Sequence, residues 1–444
     1  MSFQRFFQPS RKRQEQRRKS TAASGRPAPR KPRGEREEYR PPCPHYPVCP
    51  GCAFSRFPYR QQLEKKREIV VSALAAYPSL RALPVPLTQA SPSWFGYRTR
   101  VKLAVRRVAG QVRIGLYVPD SHQVEDISAC PVHPEPVNRI VQFLKQAIER
   151  LGIAPYDEGH DTGQLRYIDV RYSSWQHQVM LTLVTRHMHF PQVRELTREL
   201  ERRFPFLSGV VQNIHDKPGN VIWGERFYPL RGRDTLLERI GPFRVCIPVN
   251  AFSQANPTVA RKLYETALDW AGLGGEEIAV DLYCGIGPVS LYLASRAKLV
   301  VGIDDNVGAI NVAKENARRN GYHNCRFFAG DAAEKLRETA TNLARIDVIV
   351  ANPPRKGLSP EAFAALEAVS VPKIIYISCD PVTLAGDLDR LSRIGYTVVR
   401  VQPFDMFPQT DQVETVALLE SRPEVMEVAK PGRSRETLGD LGTS

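Results

Sequence analysis

A thiol stands where an apolar run ends, in Lys373-Ile374-Ile375-Tyr376-Ile377-Ser378-Cys379-Asp380-Pro381. Ile374 to Ile377 read as a buried strand, and the Asp-Pro step breaks it. Cys379 therefore falls at the C-terminal end of a sheet strand, the edge where open α/β sheets bind ligands. A thiol there is either a buried structural cysteine or a nucleophile. Downstream, Glu414 opens a closing apolar strand that runs to Leu419. Alone it reads as an edge-strand surface acid.

A second set of thiols lies far upstream, in Cys43-Pro-His-Tyr-Pro-Val-Cys49-Pro-Gly-Cys52. This Pro- and Gly-rich loop can wrap a small object. His45 offers a fourth ligand for zinc. Cys130, followed by Pro131, offers a fourth thiolate for an iron–sulfur cluster. Both readings stay open on the residues alone. Eight cysteines in 444 residues are not a disulfide scaffold.

A third group belongs to the C-terminal half. In Ile278-Ala-Val-Asp281-Leu-Tyr283-Cys-Gly285-Ile-Gly287 a strand runs into a Gly-x-Gly turn, and a helix pattern follows. The next strand ends at Asp304, where an acid can take ribose hydroxyls. The turn lacks a third glycine and needs no pyrophosphate cradle, which favours S-adenosylmethionine over a dinucleotide. Asp331 ends a third strand, placed for an adenine edge. Asn352 opens a rigid Asn-Pro-Pro-Arg-Lys-Gly loop after a fourth, presenting a carboxamide beside the cofactor methyl.

The elements that must position these groups follow from pattern. A helix is expected over 59–77, with Leu63, Ile69, Val70 and Leu74 on its apolar side. Strands are expected within 94–128, at 165–171, 178–185 and 208–214, and helices at 135–151 and 191–203. Arg98, Arg100 and Lys102 share one strand face, near Trp94, Phe95 and Tyr97. Such a face either holds phosphates and bases or is simply solvated. The expected organisation is a basic tail over 1–42, a cysteine segment and helix over 43–84, a β-rich RNA-contacting unit over 85–235, a catalytic α/β unit over 236–421 and a polar tail over 422–444.

Charge points to the partner. The chain carries 62 basic and 47 acidic residues, a net of +15. Residues 1–42 alone hold 13 Lys/Arg against 4 Glu, a composition that suits a disordered nucleic-acid tether. No apolar run approaches a membrane span and no secretory signal is visible, so a cytoplasmic protein with no membrane partner is expected.

With Gly285/Gly287, Asn352–Gly357, Ser378–Cys379 and Asp405–Glu414 in this order, the chain resembles the RNA 5-methyluridine methyltransferases over roughly residues 43–421. Its four spaced cysteines resemble the iron–sulfur 23S rRNA branch, most of all the shorter RlmC type without a TRAM domain. The resemblance implies an α/β fold. A C-terminal Rossmann-like S-adenosylmethionine-dependent sheet would join an N-terminal iron–sulfur segment and a β-rich central domain. It implies a [4Fe–4S] cluster on Cys43, Cys49, Cys52 and Cys130. Gln254, Tyr283, Asp304 and Asn352 would contact S-adenosylmethionine, Cys379 would be the nucleophile and Glu414 the general base. The implied substrate is uracil in 23S rRNA, with tRNA as the nearest alternative, and the implied state is a monomer. Three positions depart from the family pattern: Asp380 for Asn, Gln412 for His and Ser253 for an aromatic. Asp380 is expected to disfavour a thiolate at Cys379. A non-catalytic iron–sulfur RNA-binding protein is the alternative from another class.

Overall fold

The computed structural model describes residues 39–217, 219 and 221–422. The expected N-terminal tail up to 38 and the C-terminal tail from 423 lie outside the described residues. Helix α1 (Tyr59–Ala75) follows the cysteine loop. Next come β1 (Arg100–Val108), β2 (Gln111–Tyr117), β3 (Val124–Asp126), α2 (Glu135–Arg150), β4 (Leu165–Ser173), β5 (Gln178–Thr185), α3 (Val193–Arg203), β6 (Leu207–Ile214) and β7 (Arg226–Gly232). These strands form one seven-stranded sheet, ordered β3-β2-β1-β4-β5-β6-β7. One face packs on α2 and α3 through Leu103, Ile140, Leu144, Leu181 and Leu200, all buried. β8 (Thr235–Ile240) and β9 (Phe243–Pro248) make a separate hairpin.

Two details differ from expectation. The segment 94–99 is not strand. Its Gly96 and Arg98 amides donate to Pro131 and Val132 carbonyls at 2.9 and 3.0 Å, which ties it to the Cys130 turn. The basic row on β1 is also committed internally. Arg100 pairs with Asp169 at 2.9 Å, and Arg100 and Lys102 both lie over the Trp223 ring. Arg100, its charge already paired with Asp169, is less available to a phosphate.

The second half alternates strand and helix. Its elements are α4 (Pro257–Ala271), β10 (Ile278–Leu282), α5 (Pro288–Ala294), β11 (Leu299–Asp304), α6 (Val307–Arg319), β12 (Cys325–Ala329), α7 (Ala332–Asn342), β13 (Val348–Ala351), α8 (Pro360–Val369), β14 (Lys373–Ser378), α9 (Pro381–Arg393), β15 (Tyr396–Phe404) and β16 (Glu414–Ser421). The strand order is β12-β11-β10-β13-β14-β16-β15. β10 to β14 are parallel, and β16 inserts antiparallel between β14 and β15. Helices cover both faces, and the parallel strands read as continuous apolar runs for that reason. Side chains start these helices: Asn256, Asn306, Asp331, Ser359 and Asp380 each accept backbone N–H bonds at an N-cap.

The polar residues inside α1 were not visible in its apolar pattern. Gln62 and Lys66 are wholly buried beside Leu63 and Val70. Lys66 Nζ donates to Asp405 Oδ1 at 2.5 Å, and both side chains are fully shielded from solvent. Tyr59 Oη donates to the other Asp405 oxygen at 2.7 Å. Burial lowers the Lys66 pKa and the Asp405 charge opposes that shift. No helix among the described residues is long and apolar enough to cross a membrane.

Candidate active site

The register of β14 and β16 builds the centre of the site. Ser378 pairs with Thr415, so the same register carried one residue past β14 sets Cys379 opposite Glu414, whose charge it feels. Glu414 is buried, and burial pushes its carboxyl up to about 7 against the pull of Arg355. The Cys379 thiol is half-buried. Burial raises its pKa, the Glu414 charge raises it further, and a hydrogen bond and the charge of Arg355 bring it down. Arg355 is therefore the cation shared by thiol and carboxylate. Its guanidinium also donates to Gln412 Oε1.

Asp380 does not act as its sequence position suggested. Its Oδ1 accepts the Val382 and Thr383 amides, each at 3.0 Å, and so caps α9. That charge serves the helix N-terminus. The negative charge that raises the thiol comes from Glu414 across the sheet.

The loop that carries Arg355 is fixed from below. Asp387 on α9 accepts the Leu358 amide at 3.0 Å and the Tyr376 hydroxyl. Gly357 adopts φ +78°, and a Cβ there would run into the Asp387 carboxylate. Only glycine fits this loop. Asn352 begins the loop just after β13, with its amide donating to the Leu282 carbonyl at 3.2 Å.

Across the same C-terminal sheet edge, Asp304 accepts the Gly285 amide at 2.8 Å and the Asn306 amide at 3.0 Å. Burial raises its pKa and these two bonds oppose the rise. Gly285 and Gly287 both have positive φ, which keeps the turn free of side chains. Tyr283 has φ +63° in the same turn; burial raises its hydroxyl to about 12, with Asp331 and Asp387 adding to the effect. Asp281 is different from the other strand-end acids. It is wholly buried, accepts from Ser290 Oγ at 2.6 Å and is raised to about 7 by burial. Asp331 uses one oxygen to cap α7 through Ala333 and Glu334, at 2.9 and 3.0 Å.

Gln254 opens onto a small cleft, lined also by Thr99, Arg100, Arg171 and Glu238. Arg171 holds the preceding segment by donating to the Val249 and Ala251 carbonyls at 2.9 and 2.5 Å. The structure thus brings Cys379, Glu414 and Arg355 together. Tyr283, Asp304 and Asn352 gather along the neighbouring strand ends. Arg355, Asp387 and Tyr376 are the functional-site residues the sequence reading missed. Only the Pro-Pro-Arg-Lys-Gly run hinted at the first of them. An acceptor carboxylate held by two amides, a side-chain-free glycine turn and a terminal carboxamide fit the ribose, the backbone approach and the sulfonium end of S-adenosylmethionine.

The four upstream cysteines also share a neighbourhood. All are free thiols. Cys49 and Cys52 pack on the same apolar cluster that contains Cys130. Burial raises Cys52 to about 12, and the charges of Cys130, Cys49 and Cys43 add to it. Burial raises Cys130 to about 11, with Cys49 and Cys43 adding and the Val132 amide opposing. Four thiols close enough to feel one another's charge fit a site that binds them as thiolates. They do not converge on one point: among the described residues, no group of three or more His, Cys, Asp or Glu side chains is placed to hold a single metal ion.

Comparison with known proteins places the chain in a family. Residues 242–422 match the family model described as tRNA (Uracil-5-)-methyltransferase. The chain is 40% identical over 380 residues to an uncharacterised RNA methyltransferase of Geobacter sulfurreducens, covering 86% of this chain and 77% of that one. A second, from Clostridium tetani, is 36% identical and covers 85% of this chain and 82% of its own. The crystal structure of the tRNA (uracil-54, C5)-methyltransferase of Pyrococcus abyssi, in complex with S-adenosyl-L-homocysteine, is similar with a TM-score of 0.68. It is 29% identical and the match covers 84% of this chain and 86% of that one. The chain belongs to the RNA uracil-5-methyltransferase family.

Proposed function

We propose that this protein methylates uracil C5 in 23S rRNA, with Cys379 as nucleophile and Glu414 as base. The observation that carries the reading is the β14–β16 register, which sets Glu414 against Cys379 with Arg355 serving both. Uracil C5 is a weak nucleophile. Addition of the Cys379 thiolate to C6 converts C5 into an enolate carbon. S-adenosylmethionine supplies the methyl group that this carbon takes. Glu414 then removes the C5 proton, and the C6–S bond breaks as the C5–C6 double bond re-forms. Arg355 favours the thiolate before addition and the carboxylate before proton removal. Asp304, Tyr283 and Asn352 hold the cofactor at the sheet edge, Asp331 meets the adenine, and Gln254, in the segment before α4, is a further cofactor contact in this reading. The target uridine leaves its stack to reach the thiol, at lowest cost in a single-stranded loop.

Cys43, Cys49, Cys52 and Cys130 hold a [4Fe–4S] cluster in this reading, as a staple between the N-terminal loop and the β-rich sheet. The packing of Cys49 and Cys52 on the apolar cluster that contains Cys130 supports it. A tRNA substrate is the second reading, favoured by the family description and by the likeness to the Pyrococcus abyssi tRNA enzyme. Mass spectrometry of 23S rRNA and tRNA from cells with and without the gene tests the proposal. Loss of a 5-methyluridine from 23S rRNA is expected. Its loss from tRNA alone moves the substrate and keeps the chemistry. No loss from either pool overturns the reading.

A further inference from the structure

We infer that the groove between the cysteine loop, α1 and the start of α9 holds the single-stranded RNA that adjoins the target uridine. This rests on the reading of RNA as substrate. The groove has a volume of about 650 Å³ and is lined by Phe54, Arg56, Phe57, Lys65, Tyr77 and Val382, among others. Arg56 and Lys65 lie over the Phe57 ring, at 4.9 and 4.5 Å from its centre. Neither has an ion-pair partner among the described residues, so the ring presets two charges without neutralising them. Glu68 is the one acid in the lining. The floor between them is apolar, from Ile69, Ala73 and Tyr77. Cations flanking an apolar, aromatic floor match a phosphate backbone with its bases turned inward.

Its position gives the groove direction. Val382, at its end, is 71% exposed in the first turn of α9, three residues past Cys379. The next residue, Thr383, faces Gly357, and Gly357 follows the exposed Arg355 and Lys356. A strand lying on Arg56 and Lys65 passes over Val382 and arrives at the thiol with further cations alongside. An exposed valine beside a nucleophile has an apolar base plane as a natural partner.

The test uses the full-length protein and a fluorescein-labelled oligouridylate, with anisotropy read across a salt series. Arg56→Glu/Lys65→Glu is expected to bind about tenfold more weakly or worse. Its salt slope is expected to be shallower by about 1.4, at ~0.7 per lost phosphate contact on a single strand. Lys314→Glu/Arg318→Glu makes the same charge change on α6 and is expected to keep wild-type affinity and slope. Should the groove variant fail to fold, Arg56→Gln/Lys65→Gln replaces it. Wild-type affinity and slope in the groove variant would overturn the inference, as would an equal loss in the α6 variant. No binding by the wild type would instead overturn the RNA reading on which it rests.

Discussion

Gln62 and Gln409 exchange hydrogen bonds across 347 residues of chain. Gln62 Nε2 donates to Gln409 Oε1 at 3.0 Å, and the Gln409 amide donates to Gln62 Oε1 at 2.9 Å. Gln409 holds φ +74°, a conformation that a non-glycine side chain needs neighbours to maintain. Its carbonyl accepts the Phe54 amide at 2.9 Å, and the neighbouring Pro408 carbonyl accepts Tyr97 Oη at 2.8 Å. The loop leading to Glu414 is thus clamped by the cysteine segment and α1. Gln62→Leu strips the Gln409 amide of its partner. We expect a loss of about 1–3 kcal/mol in chemical denaturation and slower proton removal, since the base sits five residues on. Unchanged stability would show that the clamp is idle.

Lys66→Met leaves the Asp405 carboxylate buried without a cation. A destabilisation of about 3–5 kcal/mol is expected. Adding Asp405→Asn should recover part of it, because the uncompensated charge goes. A double-mutant cycle by urea denaturation measures the coupling, and strict additivity would refute it.

Glu414 titrates near 7, so the protonated fraction cannot act as base. Once the methylated Cys379 adduct has formed, release of tritium from its uracil C5 should climb about tenfold per pH unit below 7 and level off above it. A flat profile there would remove Glu414 from the step. The sign for stability is opposite. A carboxyl with a raised folded pKa binds more protons folded than unfolded, so stability falls as pH rises from about 4.5 to 7. Glu414→Gln should therefore melt higher than wild type at pH 8 while losing proton removal and retaining a covalent RNA adduct on denaturing gels.

Arg355→Met removes the cation that favours the thiolate. Iodoacetamide should label Cys379 about tenfold more slowly for each unit by which its pKa rises. Labelling at the wild-type rate would mean that another group activates the thiol.

Cys52→Ala should abolish bound iron and labile sulfide in protein purified without oxygen, with S-adenosylhomocysteine binding kept. Stoichiometric zinc in the wild type, with no sulfide, would contradict the cluster.

Strand and helix order were legible where patterns were long and apolar, as in β10 to β14. The nucleophile was legible because a thiol at a strand end is chemically conspicuous. Glu414 was not legible as its partner from the residues alone, because the meeting depends on an antiparallel register that only the packed sheet fixes. Lys66 and Gln62 were hidden for a different reason. A charged or amide side chain on a helix normally faces water, and here partners more than 300 residues away help make burial tolerable. Asp380 shows the reverse case, where a charge conspicuous in sequence is consumed by a local cap.

The placement of β16 has a consequence for how the molecule comes into being. Its neighbours β14 and β15 both precede it in the chain, yet neither pairs with the other. A chain grown only to Cys379 has the nucleophile and still lacks Gln409, Glu414 and the strand that pairs with β14 on that side. The nucleophile is made first and its proton acceptor last. Among the described residues β16 is the last strand in the chain, and its pairing completes both the sheet and the site.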